Sequence, residues 1–239
     1  MQALLNDVPL SVAERVRQLN QQPVRPDGAF VLYWMRTAAR GHENPALDAA
    51  IGIANQLGLP VLVYHALSER YPYASDRHHR FILEGARDAA QEVTARGIRY
   101  AFHLERPGHR GPHLRTLAQS AAVVITEEMP VDPLRAWTER LAAAASVAVC
   151  CVDTACVVPM QLVGQAFTRA FQFRKATKAL RADRLTRTWT ELQPTVPMLS
   201  AELPFEPVDL QEADLSALIA SCDIDHSVGP VPHLSLIHI

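Results

Sequence analysis

Apolar positions in this chain gather into short blocks separated by amphipathic stretches of helical length, and the alternation runs from residue 29 to residue 152. Residues 29–35 (AFVLYWM) form a continuous apolar run rich in aromatic and β-branched side chains, which predicts a strand buried on both faces. Residues 46–57 follow as a helix, with Asn44 suited to the N-cap, Pro45 to the first turn and Gly58 to the stop. The pattern then repeats: strand 61–66 (VLVYHA), helix 76–96 ending at Gly97, strand 98–104, helix 112–121, strand 122–126 (AVVIT), helix 132–145 and strand 147–152. Parallel neighbours need a crossover connection, so strands alternating with helices of this length predict an α/β fold: a doubly wound, five-stranded, mainly parallel sheet.

The flanks read differently. Residues 12–20 can form a short amphipathic helix, and 21–28 (QQPVRPDG) carry two prolines and an Asp-Gly turn signal. This gives a lead-in over 1–28, the α/β domain over 29–190, and over 191–239 a linker with the truncated start of a helical domain. Residues 165–187 predict a helix bearing Arg169, Arg174, Lys175, Lys178, Arg181, Arg184 and Arg187 against one acid, Asp183, with Phe167, Phe171, Phe173 and Leu180 in an apolar stripe. Four prolines between 193 and 207 suit a linker crossing a surface, and 214–220 reads as one short helix. The final LSLIHI looks like adapter read-through and is set aside from the fold.

Composition narrows the function classes. With 49% hydrophobic and 20% charged residues among 239 and a formal net charge of -2, the chain has a sizeable core and no overall bias toward coating nucleic acid or an anionic membrane. Cys150, Cys151, Cys156 and Cys222 are too few and too clustered for a disulfide framework, and Cys150 and Cys151 point to opposite faces of a strand. Their spacing is not that of a metal site, so no metal is expected and a reducing cytoplasm fits best. The N-terminus lacks a secretory pattern and no apolar run approaches the ~18 residues of a membrane span. There is no GxGxxG after the first strand and no GxxxxGK[ST], so the usual dinucleotide and P-loop readings lack their phosphate cradle.

In doubly wound sheets, ligands sit beyond the carboxyl ends of the strands, which directs attention to residues 36–43, 67–75, 105–111, 127–131 and 153–161. The segment 33–47 (YWMRTAARGHENPAL) resembles the photolyase/cryptochrome pattern of two arginines, an acid-Asn pair and Ala-Leu after the first strand, in its class II form. Four further stretches agree in order: 77–85 (RHHRFILEG), Glu128-Met129-Pro130 through Arg135-Ala136-Trp137, Val152-Asp153 with Val157-Val158-Pro159, and 170–175 (AFQFRK). The chain departs from the family at Thr37-Ala38-Ala39 and in having Glu128 where Asp is usual.

The resemblance implies a flavoenzyme that repairs cyclobutane pyrimidine dimers in damaged DNA by light-driven electron transfer from reduced FAD. It also implies a monomer in which the flavin, the dimer cavity and the catalytic residues belong to a helical domain mostly beyond this sequence, so no catalytic residue is expected here. The family's α/β domain can hold an antenna chromophore, a deazaflavin or a folate. Met35, Arg36, Arg40 and Asn44 are the candidates for lining that pocket; the alternative has both arginines paired with Glu43 or another carboxylate and Asn44 capping the helix. Arg174, Lys175 and Lys178 are candidate DNA contacts, the alternative being a solvated or domain-facing helix.

Trp34, Trp137 and Trp189 are expected to pack rather than conduct electrons. His78 and His79 are expected at solvent or an interface, and Glu127 and Glu128 to face apart. Two other functions stay open: a cryptochrome-like photoreceptor, and a free-standing nucleotide-binding α/β module. The second is opposed by the lack of a glycine cluster in 152–164.

Overall fold

The computed structural model describes residues 2–231. Its centre is a six-stranded sheet in the order β1-β6-β5-β2-β3-β4, formed by β1 (Val16–Gln18), β2 (Phe30–Met35), β3 (Val61–Leu67), β4 (Arg99–Leu104), β5 (Ala121–Glu127) and β6 (Val149–Val152). All neighbouring pairs are parallel except β1 with β6. Crossovers are made by α2 (Pro45–Leu57), α3 (Asp76–Ala95), α4 (His113–Ser120) and α5 (Leu134–Ala144). The doubly wound α/β architecture is therefore present, with one strand more than the apolar pattern suggested.

That extra strand corrects the reading of 12–20 as a helix. A short α1 (Leu10–Ala13) ends before Arg15, and the chain then extends as β1, pairing Val16 with Val152, Arg17 with Cys151 and Gln18 with Cys150. Without β1, the fully buried β6 would be an open edge presenting unpaired backbone groups, and satisfying that edge outweighs a weak local helix preference. Three residues are too short a segment for period-two alternation to be legible in sequence.

The pleat sorts β2 between two cores. Val31, Tyr33 and Met35 pack with Leu47, Ile51 and Ile53 of α2 and with Val93 of α3. Phe30, Leu32 and Trp34 pack on the opposite face with Leu117 of α4 and Leu141 of α5. Each such fully buried aliphatic side chain contributes about 1.5–3 kcal/mol. Gly28 leads into β2 because any Cβ there would lie 2.3 Å from the Ala122 nitrogen, and Gly58 ends α2 in the left-handed region at φ 65°.

Beyond the sheet, the predicted 165–187 helix is shorter: a turn α6 (Met160–Val163) precedes α7 (Ala170–Leu185). Residues 199–208 run beside β4, where the Val208 amide donates to the Phe102 carbonyl and the Arg99 guanidinium donates to the Leu199 and Ala201 carbonyls. Next, α8 (Leu215–Ala220), N-capped by Asp214, closes a third core in which Leu210, Leu215 and Ile219 meet Leu83, Phe102 and Leu104. The adapter-like LSLIHI lies outside the described residues.

Candidate functional site

The strand order reverses between β2 and β5, and the crevice at their carboxyl ends is where a sheet of this kind offers a site. Here it is organised by one carboxylate. Glu127, the last residue of β5, is fully buried. It accepts from the Tyr33 hydroxyl at 2.7 Å, from the Arg36 amide at 3.0 Å, and from both the amide and the hydroxyl of Thr37. Arg36 turns back across the crevice, donating to the carbonyls of Glu127 and Leu134, with its guanidinium 4.4 Å from the centre of the Trp34 ring. Burial lowers the Arg36 pKa, opposed by Glu127; burial also raises the Tyr33 phenol well above its ordinary value. Glu128 turns away and pairs with Arg17, so the two acids face apart as expected.

The four antenna candidates do not share one open surface. Met35 is fully buried. Asn44 is fully buried too: its side-chain oxygen accepts from the Ala46 and Leu47 amides, and its nitrogen reaches the Tyr33 hydroxyl and the Ala38 and Arg40 carbonyls. Arg40 is exposed and donates to the Glu43 carbonyl at 3.1 Å. Of the four, only Arg36 keeps a buried polar atom without a partner, its Nε. With Asn44 satisfied and Met35 sealed, these side chains do not fit a chromophore in this arrangement.

Behind them lies a second buried carboxylate that the sequence reading passed over. Asp48, in the first turn of α2, accepts from Arg96 Nη2 and from Trp189 Nε1 at 2.9 and 2.8 Å, and from the Leu192 amide at 3.2 Å. Burial pushes its carboxyl upward against the pull of Arg96. The signal in sequence was a lone acid in the apolar run ALDAAIGIA. Trp189 is accordingly a tether, and Trp34 is a core residue, whereas Trp137 is 36% exposed.

Helix α7 is anchored at its C-terminal end. Its last turn is clamped by Glu14, which accepts from Arg184 at 2.6 and 3.0 Å and from Arg187 at 3.3 Å. Thr177 is its one buried residue, while Phe171 is 61% and Phe173 49% exposed. Arg174, Lys175 and Lys178 are all exposed. A largely apolar groove of about 810 Å³ runs between this helix and the 156–166 loop, with Val157, Met160 and Phe173 in its walls and Arg174 and Arg181 among its lining residues. The loop is fixed by Asp153, fully buried, whose carboxylate accepts from the amides of Ala155, Cys156 and Met160.

The family model described as DNA photolyase matches residues 31–197. The chain belongs to the DNA photolyase family. A deoxyribodipyrimidine photo-lyase of Methanothermobacter thermautotrophicus is 34% identical over 62% of this chain and 33% of its own length. One from Oryza sativa subsp. japonica is 28% identical over 86% of this chain and 40% of its own length. The chain thus spans a third to two-fifths of the curated relatives it matches. A universal stress protein solved in complex with cAMP aligns with 54% of this chain at a TM-score of 0.34 and 17% identity, too slight a likeness to argue from.

Within this photolyase domain, three of the described histidines, His65, His79 and His103, are interior, whereas His42, His78, His109 and His226 are exposed. His79, expected at solvent or an interface, is fully buried and stacks on Tyr71, while His78 is exposed and contacts the Tyr73 carbonyl. No helix among the described residues is long and apolar enough to cross a membrane.

His65 supplies a pH prediction. It is buried in the sheet with Nδ1 2.6 Å from the Tyr100 hydroxyl, and burial lowers its pKa to about 4. The unfolded chain binds this proton near 6.5, so between those values it holds more protons than the folded chain, and stability falls as pH falls through that window. The expected loss from this residue is about 3 kcal/mol, fully developed near pH 4 and absent above pH 7. Urea unfolding at pH 7.5 and 4.5 should show His65→Gln losing about one proton's worth of the wild-type slope; an unchanged slope would place the titration in other histidines.

Proposed function

We propose that this chain is the N-terminal part of a light-driven enzyme that splits cyclobutane pyrimidine dimers in DNA, with reduced FAD held by polypeptide that the longer relatives carry beyond the region matched here. What carries the reading is the match to two proteins that are both deoxyribodipyrimidine photo-lyases, one of them along 86% of this chain. The flavin supplies an electron to the dimer after excitation and recovers it after ring opening; none of the residues described above is assigned to that step. Their part is architectural. Glu127 and Asp48 hold the β2 end of the sheet and the start of the linker, and Glu14 and Asp153 hold α7 and its loop.

The exposed face of α7 fits this reading. A helix of this length with one buried residue is marginal in water, and two half-exposed phenylalanines beside an apolar groove call for a covering surface. In the proposal, the groove receives the remainder of the photolyase, while Arg174, Lys175 and Lys178 border the DNA face and neutralise phosphates. An antenna on Met35, Arg36, Arg40 and Asn44 would require the loop to open, and no step is routed through one.

The test is a reading frame extended to the relatives' length, expressed beside residues 1–239, with both incubated in light with a dimer-containing oligonucleotide. The extended protein is expected to bind flavin and remove dimers only when illuminated, and the short chain to do neither. Changing Arg174, Lys175 and Lys178 together to Gln should weaken DNA binding and flatten its salt dependence. A flavin that is photoreduced while the dimers persist would instead favour a photoreceptor.

A further inference from the structure

The strap formed by residues 199–208 crosses β4 and α4 with little backbone bonding of its own. Among the described residues, no amide from 199 to 207 donates a hydrogen bond. The strap is fixed at its start by Arg99 on the Leu199 and Ala201 carbonyls and at its end by the Val208 amide on the Phe102 carbonyl. Between those points side chains hold it: Leu199, Leu203 and Phe205 pack on the core that contains Tyr64 and Leu117. Phe205 is the middle anchor. Its ring centre lies 5.6 Å from that of Tyr64, 5.3 Å from His103 and 4.9 Å from His113, and the two imidazoles are 4.5 Å apart.

This arrangement suits neutral imidazoles. His103 Nε2 lies 2.9 Å from the His109 carbonyl, which can only accept, so Nε2 carries the proton and Nδ1, 3.4 Å from the Tyr64 hydroxyl, is left to accept. A second proton would go onto Nδ1 of a buried ring beside another histidine. Burial lowers the pKa of His103 and of His113; at His103 the neighbouring His113 and Arg106 add to the effect, against the His109 carbonyl and Glu105. Glu105 is already taken by Arg70 and Ser68, and Arg110 by Glu69. On the strap, Glu206 is exposed and shares a cleft of about 220 Å³ with Arg106, His109 and His113, through which protons reach the cluster. Two imidazolium rings this close repel strongly where water is excluded, and solvating them removes most of that cost.

Both flanks of the strap have their own anchors. Upstream, Trp189 and the Leu192 amide are tied to Asp48. Downstream, His226 lies 2.7 Å from Asp76, which raises its pKa, so acidification reinforces that contact. We infer that residues 199–208 form an acid-operated clasp, closed on β4 and α4 while His103 and His113 are neutral and opening when both are protonated. Opening between fixed flanks uncovers Leu203, Phe205 and the outer edge of β4.

Hydrogen exchange of the Val208 amide in residues 1–239, read by NMR and corrected for the intrinsic rate, tests the clasp. Each proton taken up only by the open form lowers the closed-to-open ratio about tenfold for each pH unit below the ordinary histidine value near 6.5. Protection at Val208 should therefore fall about a hundredfold between pH 7.5 and 5.5. It should stay below that of the Val124 amide of β5 throughout, which marks an opening short of unfolding. The double variant His103→Gln, His113→Gln should reduce the fall to less than about twofold, whatever its protection at pH 7.5. His113→Gln alone, at the half-buried first residue of α4, should leave a fall of about tenfold, and it decides the matter if the double variant loses the clasp. A wild-type fall below about tenfold, a fall undiminished by these substitutions, or Val208 protection equal to that of Val124 would each overturn the assignment.

Discussion

Asp48→Ala should destabilise the folded chain by about 3–5 kcal/mol, because it strands a buried guanidinium without its counter-ion. Asp48 is fully buried, and the Arg96 side chain is only 5% exposed. Arg96 would keep the carbonyls of Gly41 and Leu192 but lose the carboxylate it is directly paired with. The indole of Trp189 and the Leu192 amide would lose their acceptor in the same step. Asp48→Asn should cost less, since its carbonyl can still accept one or two of these bonds while the charge is gone. Urea unfolding followed by circular dichroism measures the loss. Proteolysis between 193 and 198 should accelerate, because the linker would be released from α2. A loss below about 1 kcal/mol for the alanine variant would mean that Arg96 finds solvent or another acid.

This network also marks where the sequence stopped being legible. Helix α2 was readable from both ends because its signals are local: Asn44 at the cap, Pro45 in the first turn, Gly58 at the stop. The five strands β2 to β6 were readable because burial on both faces leaves little room for polar residues. What joins Asp48 to Trp189 and Leu192 spans more than 140 residues, and no local pattern encodes such a contact. The same limit hid β1, whose three residues have meaning only beside β6, and the pairing of Glu14 with Arg184, which converts part of an apparently free basic stripe into a clamp.

The family was legible for a different reason. The segments 33–47, 77–85, 128–137, 152–159 and 170–175 cover the end of β2 and its loop, the first half of α3, the loop into α5, the end of β6 with its loop, and the start of α7, so the resemblance rested on their order along the chain. Their roles were less legible than their order. Asn44 and Arg36 each admitted two readings, a chromophore wall and a loop brace or helix cap, because a carboxamide or guanidinium beside a strand end serves either. Glu127, which accepts from the Arg36 amide, lies 91 residues from it in sequence.

Glu127→Ala is therefore expected to be the second severe substitution, costing about 3–5 kcal/mol. It removes the acceptor of the Tyr33 hydroxyl, two backbone amides and the Thr37 hydroxyl, and takes away the nearby negative charge that favours the Arg36 guanidinium, whose direct partners are carbonyls. Its signature should differ from that of Asp48→Ala. Hydrogen exchange should quicken first at the Arg36 and Thr37 amides, whose only bond in the hydrogen-bond network described here is to this carboxylate, while the linker stays docked on α2. Glu127→Gln separates charge from hydrogen bonding, since its one oxygen, in the place of Oε1, still accepts from the Tyr33 hydroxyl and the Arg36 amide while its nitrogen meets the Thr37 amide with a donor. If the carboxylate acts as a brace, Gln should fall between wild type and Ala in stability, with the Thr37 amide still exposed to exchange. A Gln variant as stable and as protected as wild type would show that a single acceptor suffices, and the buried charge would then need another explanation.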